Sequence, residues 1–248
     1  MLILTGLSVF ERKLNIMMSV TPVVKNLIII NLLVFISVSM LFPDWMNYFQ
    51  AYYPSSASFK PVQIITHMFM HGNLVPHLFF NMFMLYMFGT SVEYYWGSRY
   101  FLLVYLASGF GAIFFHYLVK YIAIQYYGTD VNPEDYKTML TEGRSVIEEG
   151  KNYIGALGQL NMIVNVPAVG ASGAVFGILT GFAVQFPRRK LMLLLPPIPV
   201  EARILIPIII ILELFLGLGG DDGVAHFAHI GGALTGFILT RFRYKFNI

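Results

Sequence analysis

Cysteine is missing from all 248 residues, which removes disulfide frameworks, thiolate zinc sites, iron–sulfur clusters and cysteine nucleophiles. The compartment stays open, because a chain without thiols suits either side of a membrane. Charge is scarce as well. Asp, Glu, Lys and Arg make up 12% of the chain, where a water-soluble domain carries roughly 25%. So little charge cannot coat a soluble surface of this size, and an ordinary cytosolic enzyme is disfavoured. Internal repeats and low-complexity tracts are lacking. Hydrophobic residues reach 57% and aromatics 16%, which excludes disorder. The net charge of +3 and pI near 9.0 look basic. They read as loop charges at a membrane, not as a nucleic-acid-binding surface.

What is present is apolar sequence in long runs, with a mean hydropathy of +0.68. A membrane helix needs about 20 mostly apolar residues. Six stretches qualify, at about residues 24–42, 74–95, 100–121, 170–186, 202–218 and 224–243. They nearly exhaust the chain. The expectation is therefore an all-α, polytopic bundle of six transmembrane helices in one membrane domain over residues 1–248, in contact with the lipid bilayer. Met1–Phe10 is apolar but too short to span, and its charges follow the apolar run, unlike a cleavable signal peptide. It reads as an interfacial segment. The linker Pro43–Asn73 is rich in aromatics that favour the membrane–water interface. A second linker, Ile122–Val169, holds a polar insertion at about 128–151, with a short amphipathic helix expected near Tyr136–Glu149.

Orientation follows from the basic residues. With the N-terminus in the cytoplasm, eleven of the 16 Lys and Arg fall inside, among them the run Arg188-Arg189-Lys190, and five, from Lys60 to Lys151, fall outside. Lys and Arg prefer the cytoplasmic side, so both termini are expected inside. The second, fourth and sixth spans then start at the outer face.

Those three starts carry polar groups, which are costly in a membrane and therefore functional candidates. The second span opens on His77-Leu-Phe-Phe-Asn81, whose i, i+4 spacing puts both polar groups on one helix face. The fourth opens on Gly170-Ala171-Ser172-Gly173, and the sixth on Val224-Ala225-His226-Phe227-Ala228-His229. A Ser and two His at matching depth form a joint signal. Glycines repeat every four residues at Gly173, Gly177 and Gly181, and again at Gly232 and Gly236, a pattern that lets helix backbones approach closely. Close approach is what a hydroxyl needs to reach an imidazole.

A serine hydroxyl becomes a nucleophile when a base takes its proton. His229 can be that base, and later the acid that protonates a leaving amine. The oxyanion formed on attack needs fixed donors, which the backbone N–H of Ser172, the Asn81 amide and a ring N–H of His77 could supply. No acidic residue is expected at this depth, so the pattern predicts a Ser–His dyad. His226 beside His229 hints at a metal, but the sequence offers no third ligand there, and no metal or cofactor is expected. Glu213 in the fifth span reads most simply as a hydrogen-bonding group between helices.

The elements HGNLVPHLFFN, GASGAVFG and AHFAHIGGALTG, in this order and on these spans, resemble the rhomboid family of intramembrane serine proteases. The likeness runs from about His67 to Phe242. It implies Ser172 as nucleophile, His229 as general base, and His77 and Asn81 as oxyanion donors, with Gly170, Gly173 and Phe176 in support. Phe176 stands where some members carry Tyr, and can still stack on His229. It implies that Glu93 is a structural hydrogen-bonding group. The segment 193–200 resembles the family's inner loop before the fifth span. The Trp-Arg pair of some members' first outer loop is absent, since Met46 follows Trp45, and the His71–His77 spacing is one residue longer than the family pattern.

The expected function is that of a serine endopeptidase cleaving membrane-anchored, single-span proteins within or near the transmembrane segment. Its substrates would unwind locally at Gly, Ala or Pro, and enter by movement of the fifth span and the adjoining loop at 219–223. The expected setting is a bacterial inner membrane with the site facing outside. The rival readings are a catalytically inactive membrane adaptor and a small transporter using His residues and Glu213 as a proton path.

Overall fold

The computed structural model describes residues 20–72, 75–192, 197–219 and 225–243. Expectations for Met1–Phe10, for 220–223 of the outer loop and for 193–196 of the inner loop lie outside the described residues. Helix α1 (Pro22–Ile36) continues through a π-helical turn, Ser37–Leu41. Two short helices, α2 (Trp45–Phe49) and α3 (Gln63–Thr66), follow in the aromatic linker. Helix α4 (Val75–Met84) passes through a second π turn, Leu85–Gly89, into α5 (Thr90–Trp96). Helix α6 (Ser98–Tyr127) is the longest. The polar insertion holds α7 (Pro133–Glu148), and α8 (Gly155–Asn165) follows it. Then come α9 (Ser172–Gln185), an antiparallel pair β1 (Lys190–Met192) and β2 (Pro199–Glu201), α10 (Ala202–Gly219) and α11 (His226–Arg241).

Helix occupies each of the six apolar stretches. Three helical segments are long and apolar enough to cross a membrane by length and composition: Pro22–Leu41, Ser98–Asp130 and Ala202–Gly219. Helix α9 has 14 residues, about 21 Å at 1.5 Å per residue, against a hydrocarbon core of about 30 Å. Its burial explains how it can be short. Ten of its residues are buried against other helices, so its ends do not have to meet lipid. The fourth apolar stretch therefore becomes helical only at Ser172, and Gly170 lies outside it with a φ of 122° that side chains rarely adopt.

The second linker is more ordered than its sequence suggests. Helix α6 runs past Tyr121 to Tyr127, and α8 was not expected. Helix α7 starts three residues before Tyr136, where Asn132 caps it by accepting from the Glu134 N–H at 2.9 Å. Asparagines buried in α8 join these helices: Asn161 donates to the Gly143 carbonyl, Asn165 donates to the Met139 carbonyl, and Ser56 from the first linker donates to Asn165. A bridge between Ala51 and Ala168 ties the two linkers together beside the start of α9.

Glu93 closes the other end of the bundle. Its carboxylate accepts from the backbone N–H groups of Val23 and Val24, at 3.0 and 2.9 Å, and from Ser98 Oγ at 2.6 Å. It thereby satisfies free N–H groups at the start of α1, where the helix dipole also favours an anion.

The centre of the molecule is a three-helix contact among α6, α9 and α11. A β-carbon added at Gly232 would strike the backbone carbonyl of Gly173, and one at Gly236 would strike that of Gly177. Gly173 likewise abuts Ala112 of α6, and Gly177 abuts Ser108. At Gly232 and Gly236 backbone meets backbone, with no side chain that could move aside. Gly232→Val is therefore expected to cost about 1–3 kcal/mol or more through overpacking. Its thermal midpoint in detergent should fall clearly below that of Leu234→Val, a change on the exposed face of α11. Equal midpoints would contradict the packing described.

Candidate functional site

The glycine contact sets the spacing of the two helices that carry Ser172 and His229. Ser172 is the first residue of α9, and His229 is the fourth of α11. His229 Nε2 lies 2.7 Å from Ser172 Oγ. That is hydrogen-bonding distance for a nucleophile and its base. Phe176, one turn below Ser172, stacks on the His229 ring with centroids 4.3 Å apart and planes 4° from parallel. The stack holds the imidazole flat against α9, with its edge toward the hydroxyl.

The other candidates border the same space. A cavity of about 650 Å³ is lined by His71, His77, Asn81, Ser172, Phe176 and His229 among others. A β-carbon at Gly170 would sit 2.9 Å from His77 Nε2 and 3.3 Å from Ser172 Oγ, so glycine keeps the gap between them open. As the first residue of α9, Ser172 has a backbone N–H without an intrahelical acceptor. Gly173, beside it, serves the helix contact. Asn81 donates one amide hydrogen to the His77 carbonyl at 2.9 Å, which leaves its second for the cavity. His77 Nδ1 donates to the His71 carbonyl at 3.3 Å. A neutral ring in that tautomer presents a lone pair at Nε2, so His77 donates into the cavity only in its protonated form.

The expectation that no acidic group reaches this depth is corrected by Glu213. Its Oε2 lies 2.7 Å from His229 Nδ1 and 2.7 Å from His226 Nδ1. The result is a chain from Ser172 through His229 to Glu213, with His226 on the same oxygen. An acidic side chain in the middle of a membrane helix costs about 2.5–3.5 kcal/mol, and two charge-assisted bonds offset that cost. The sequence held one overlooked signal. Ala202, Ile206, Glu213 and Gly217 fall on one face of α10, and Gly217 approaches the ring of Phe227 closely. Glu213 also supplies the third ligand that the sequence was expected to lack beside His226 and His229. Glu213, His226 and His229 offer ligand atoms within 4.8 Å of one another, so these three residues could hold an ion.

Two more histidines stand at the first, aromatic linker. His67 is buried and its Nδ1 donates to the Gln63 carbonyl at 3.0 Å. His71 is buried against the cavity. Burial lowers both imidazoles to about 4, so both are neutral at pH 7. The unfolded chain takes up their protons near the ordinary value of 6.5, and the folded chain only near 4. Stability from this pair is therefore full above pH 6.5 and is lost as pH falls toward 4. The thermal midpoint should drop across that interval, and drop less in His67→Gln. A midpoint that stays flat from pH 6.5 to 4 would contradict the buried, neutral state.

Comparison with known proteins places the chain in a family. The family model described as the Rhomboid domain matches residues 58–127 and 149–246, more than half of the chain. The unmatched interval contains α7. RHOMBOID-like protein 4 of Arabidopsis thaliana is 29% identical over 170 residues, which is 68% of this chain and 31% of that protein. The chain thus spans about a third of the length of the curated relative that it matches. With apolar helices long enough to cross a bilayer and a family match over most of its helical bundle, the chain is an integral membrane protein and belongs to the rhomboid family.

Proposed function

We propose that the chain is an intramembrane serine endopeptidase that cleaves membrane-anchored, single-span proteins within or near the transmembrane segment. The observation that carries this reading is the 2.7 Å contact between Ser172 Oγ and His229 Nε2 at the edge of a cavity. Ser172 attacks the amide carbon while its proton passes to His229 Nε2. The carbonyl π electrons move onto oxygen. The Ser172 N–H and the free Asn81 hydrogen stabilise that charge, joined by His77 when protonated. His229 then gives its proton to the departing amine, and water releases the acyl group by the same route in reverse.

In this reading the bundle spans the membrane six times, with both termini in the cytoplasm and the site facing outside, as in a bacterial inner membrane. The distribution of Lys and Arg supports that orientation. Substrate enters beside α10, whose buried residues are confined to Ala202 and Ile206 near its start. Its remaining length presents Ile208, Ile211, Leu212 and Phe215 outward, so apart from the Glu213 and Gly217 contacts with α11 it has little packing to lose on moving aside.

Ser172→Ala should reduce cleavage of a reconstituted single-span substrate with Gly and Ala near the cut by on the order of 10³-fold or more. Full cleavage by that variant would end the proposal. Gly170→Ala adds a β-carbon between His77 and Ser172 at a φ of 122°. It should cost on the order of 10²-fold in kcat/KM, because an ångström of misplacement near reacting atoms has that effect. Unchanged kinetics would show that the open space there is not used.

A further inference from the structure

We infer that Glu213 is a positioning residue for His229, so that the catalytic array is a Ser172–His229–Glu213 relay anchored on three helices. The inference builds on the proteolytic reading, but it concerns the state of the His229 ring and can be read without any peptide substrate.

Glu213 Oε2 stands 2.7 Å from two ring nitrogens, His226 Nδ1 and His229 Nδ1. An oxygen that faces two such nitrogens accepts from both when the carboxylate is ionised, because an ionised carboxylate has no hydrogen to give. Each ring then carries its proton on Nδ1. For His229 this leaves the Nε2 lone pair aimed at Ser172 Oγ, 2.7 Å away. The hydroxyl must be the donor in that contact, which is the arrangement that removes its proton on attack. With no partner at Nδ1, the ring could equally carry its proton on Nε2, where it would donate to Ser172 and be useless as a base.

The same carboxylate acts after the proton moves. When the Ser172 Oγ–carbon bond forms, the hydroxyl proton passes to Nε2 and the ring becomes an imidazolium. Glu213 remains ionised and faces that cation across the Nδ1–H bond, taking no proton itself. The other titratable groups around the ring are His226 on α11 and, lining the cavity, His71, His77, His116 and Lys120. None of them is acidic, so among the described residues that line the site the counter-charge comes from Glu213.

The placement is built by packing as well as by hydrogen bonds. Gly217, one turn beyond Glu213, lets α10 meet the start of α11, with a virtual β-carbon at 3.1 Å from His226 Cβ and from Phe227. Phe176 blocks rotation of the His229 ring from its other face. The relay is thus fixed by α9, α10 and α11 together.

The test uses the purified full chain in detergent, with Glu213→Gln, Glu213→Ala and Glu213→Asp beside the wild type. Two rates are read: cleavage of the single-span substrate, and covalent labelling of Ser172 by a fluorophosphonate. We expect Gln and Ala to lower kcat and the labelling rate together by about 10²–10⁴-fold, with KM nearly unchanged. Asp should recover part of both rates. Added formate should recover part of both in Glu213→Ala, because a small carboxylate can occupy the vacated space. Merely structural support would not respond to formate. A Gln or Ala variant within about threefold of wild type in both rates overturns the inference and leaves the protease reading intact. A loss that neither Asp nor formate relieves, together with a lowered thermal midpoint, also overturns it. Wild-type activity lost to EDTA and restored by Zn²⁺ overturns it too, because the three groups would then be holding an ion. Labelling of wild-type Ser172 that falls in the variants, without any peptide cleavage, upholds the relay and removes the protease reading. A wild type that neither labels nor cleaves overturns both.

Discussion

The site exists because two helices touch through their backbones. Gly232 lies against the Gly173 carbonyl and Gly236 against that of Gly177. In a lipid environment there is little hydrophobic drive between helices, and close van der Waals packing of small residues takes its place. One turn of glycine contact below the site brings the first residue of α9 to the fourth of α11. Ser172 Oγ and His229 Nε2 then meet at 2.7 Å. No loop has to close and no side chain has to stretch. Larger residues at these glycines would push the pair apart at its origin, whatever chemistry the side chains retained.

A membrane makes polar groups expensive, and the structure shows how three sets of them are supported. Glu93 closes the start of α1 with two backbone N–H bonds and one from Ser98. Asn161 and Asn165 link α7 and α8. Glu213 receives two imidazoles. The first two sets serve the fold. The third lies beside Ser172, where in the proposed mechanism a carboxylate both orders the base and balances the charge it acquires. A relay of this kind inside a helix bundle differs from the dyad expected from the sequence pattern, and the difference traces to one residue on α10.

Much of this was legible in the residues themselves. The apolar runs located the helices, because a long run of Val, Ile, Leu and Phe with few charges has one stable arrangement in lipid. The four-residue glycine spacing on α9 and α11 pointed to the contact between them, and the Ser and His at the starts of those helices followed. Phe176 lay one turn from Ser172, so its stacking on the ring was readable from helical geometry. Other features depend on packing that periodicity does not encode. Helix α8 is short, rich in Gly and Asn, and stabilised by partners distant in sequence. The short span of α9 reflects its enclosure by other helices. Glu213 looked like a single acidic residue in an apolar helix, because nothing local tells which neighbour it faces. The π turn at Leu85–Gly89 changes the register between α4 and α5, which a uniform 3.6-residue pattern does not foresee.

The central claim is that the hydroxyl of Ser172 is activated by His229 within the bundle. The most direct measurement is a crystal structure of the wild-type chain after reaction with a mechanism-based phosphonate. The account predicts continuous density from Ser172 Oγ to phosphorus, a phosphonyl oxygen facing the Ser172 N–H, and His229 Nε2 still beside Oγ. An unmodified serine after prolonged exposure, or a His229 ring turned away from it, would contradict the account.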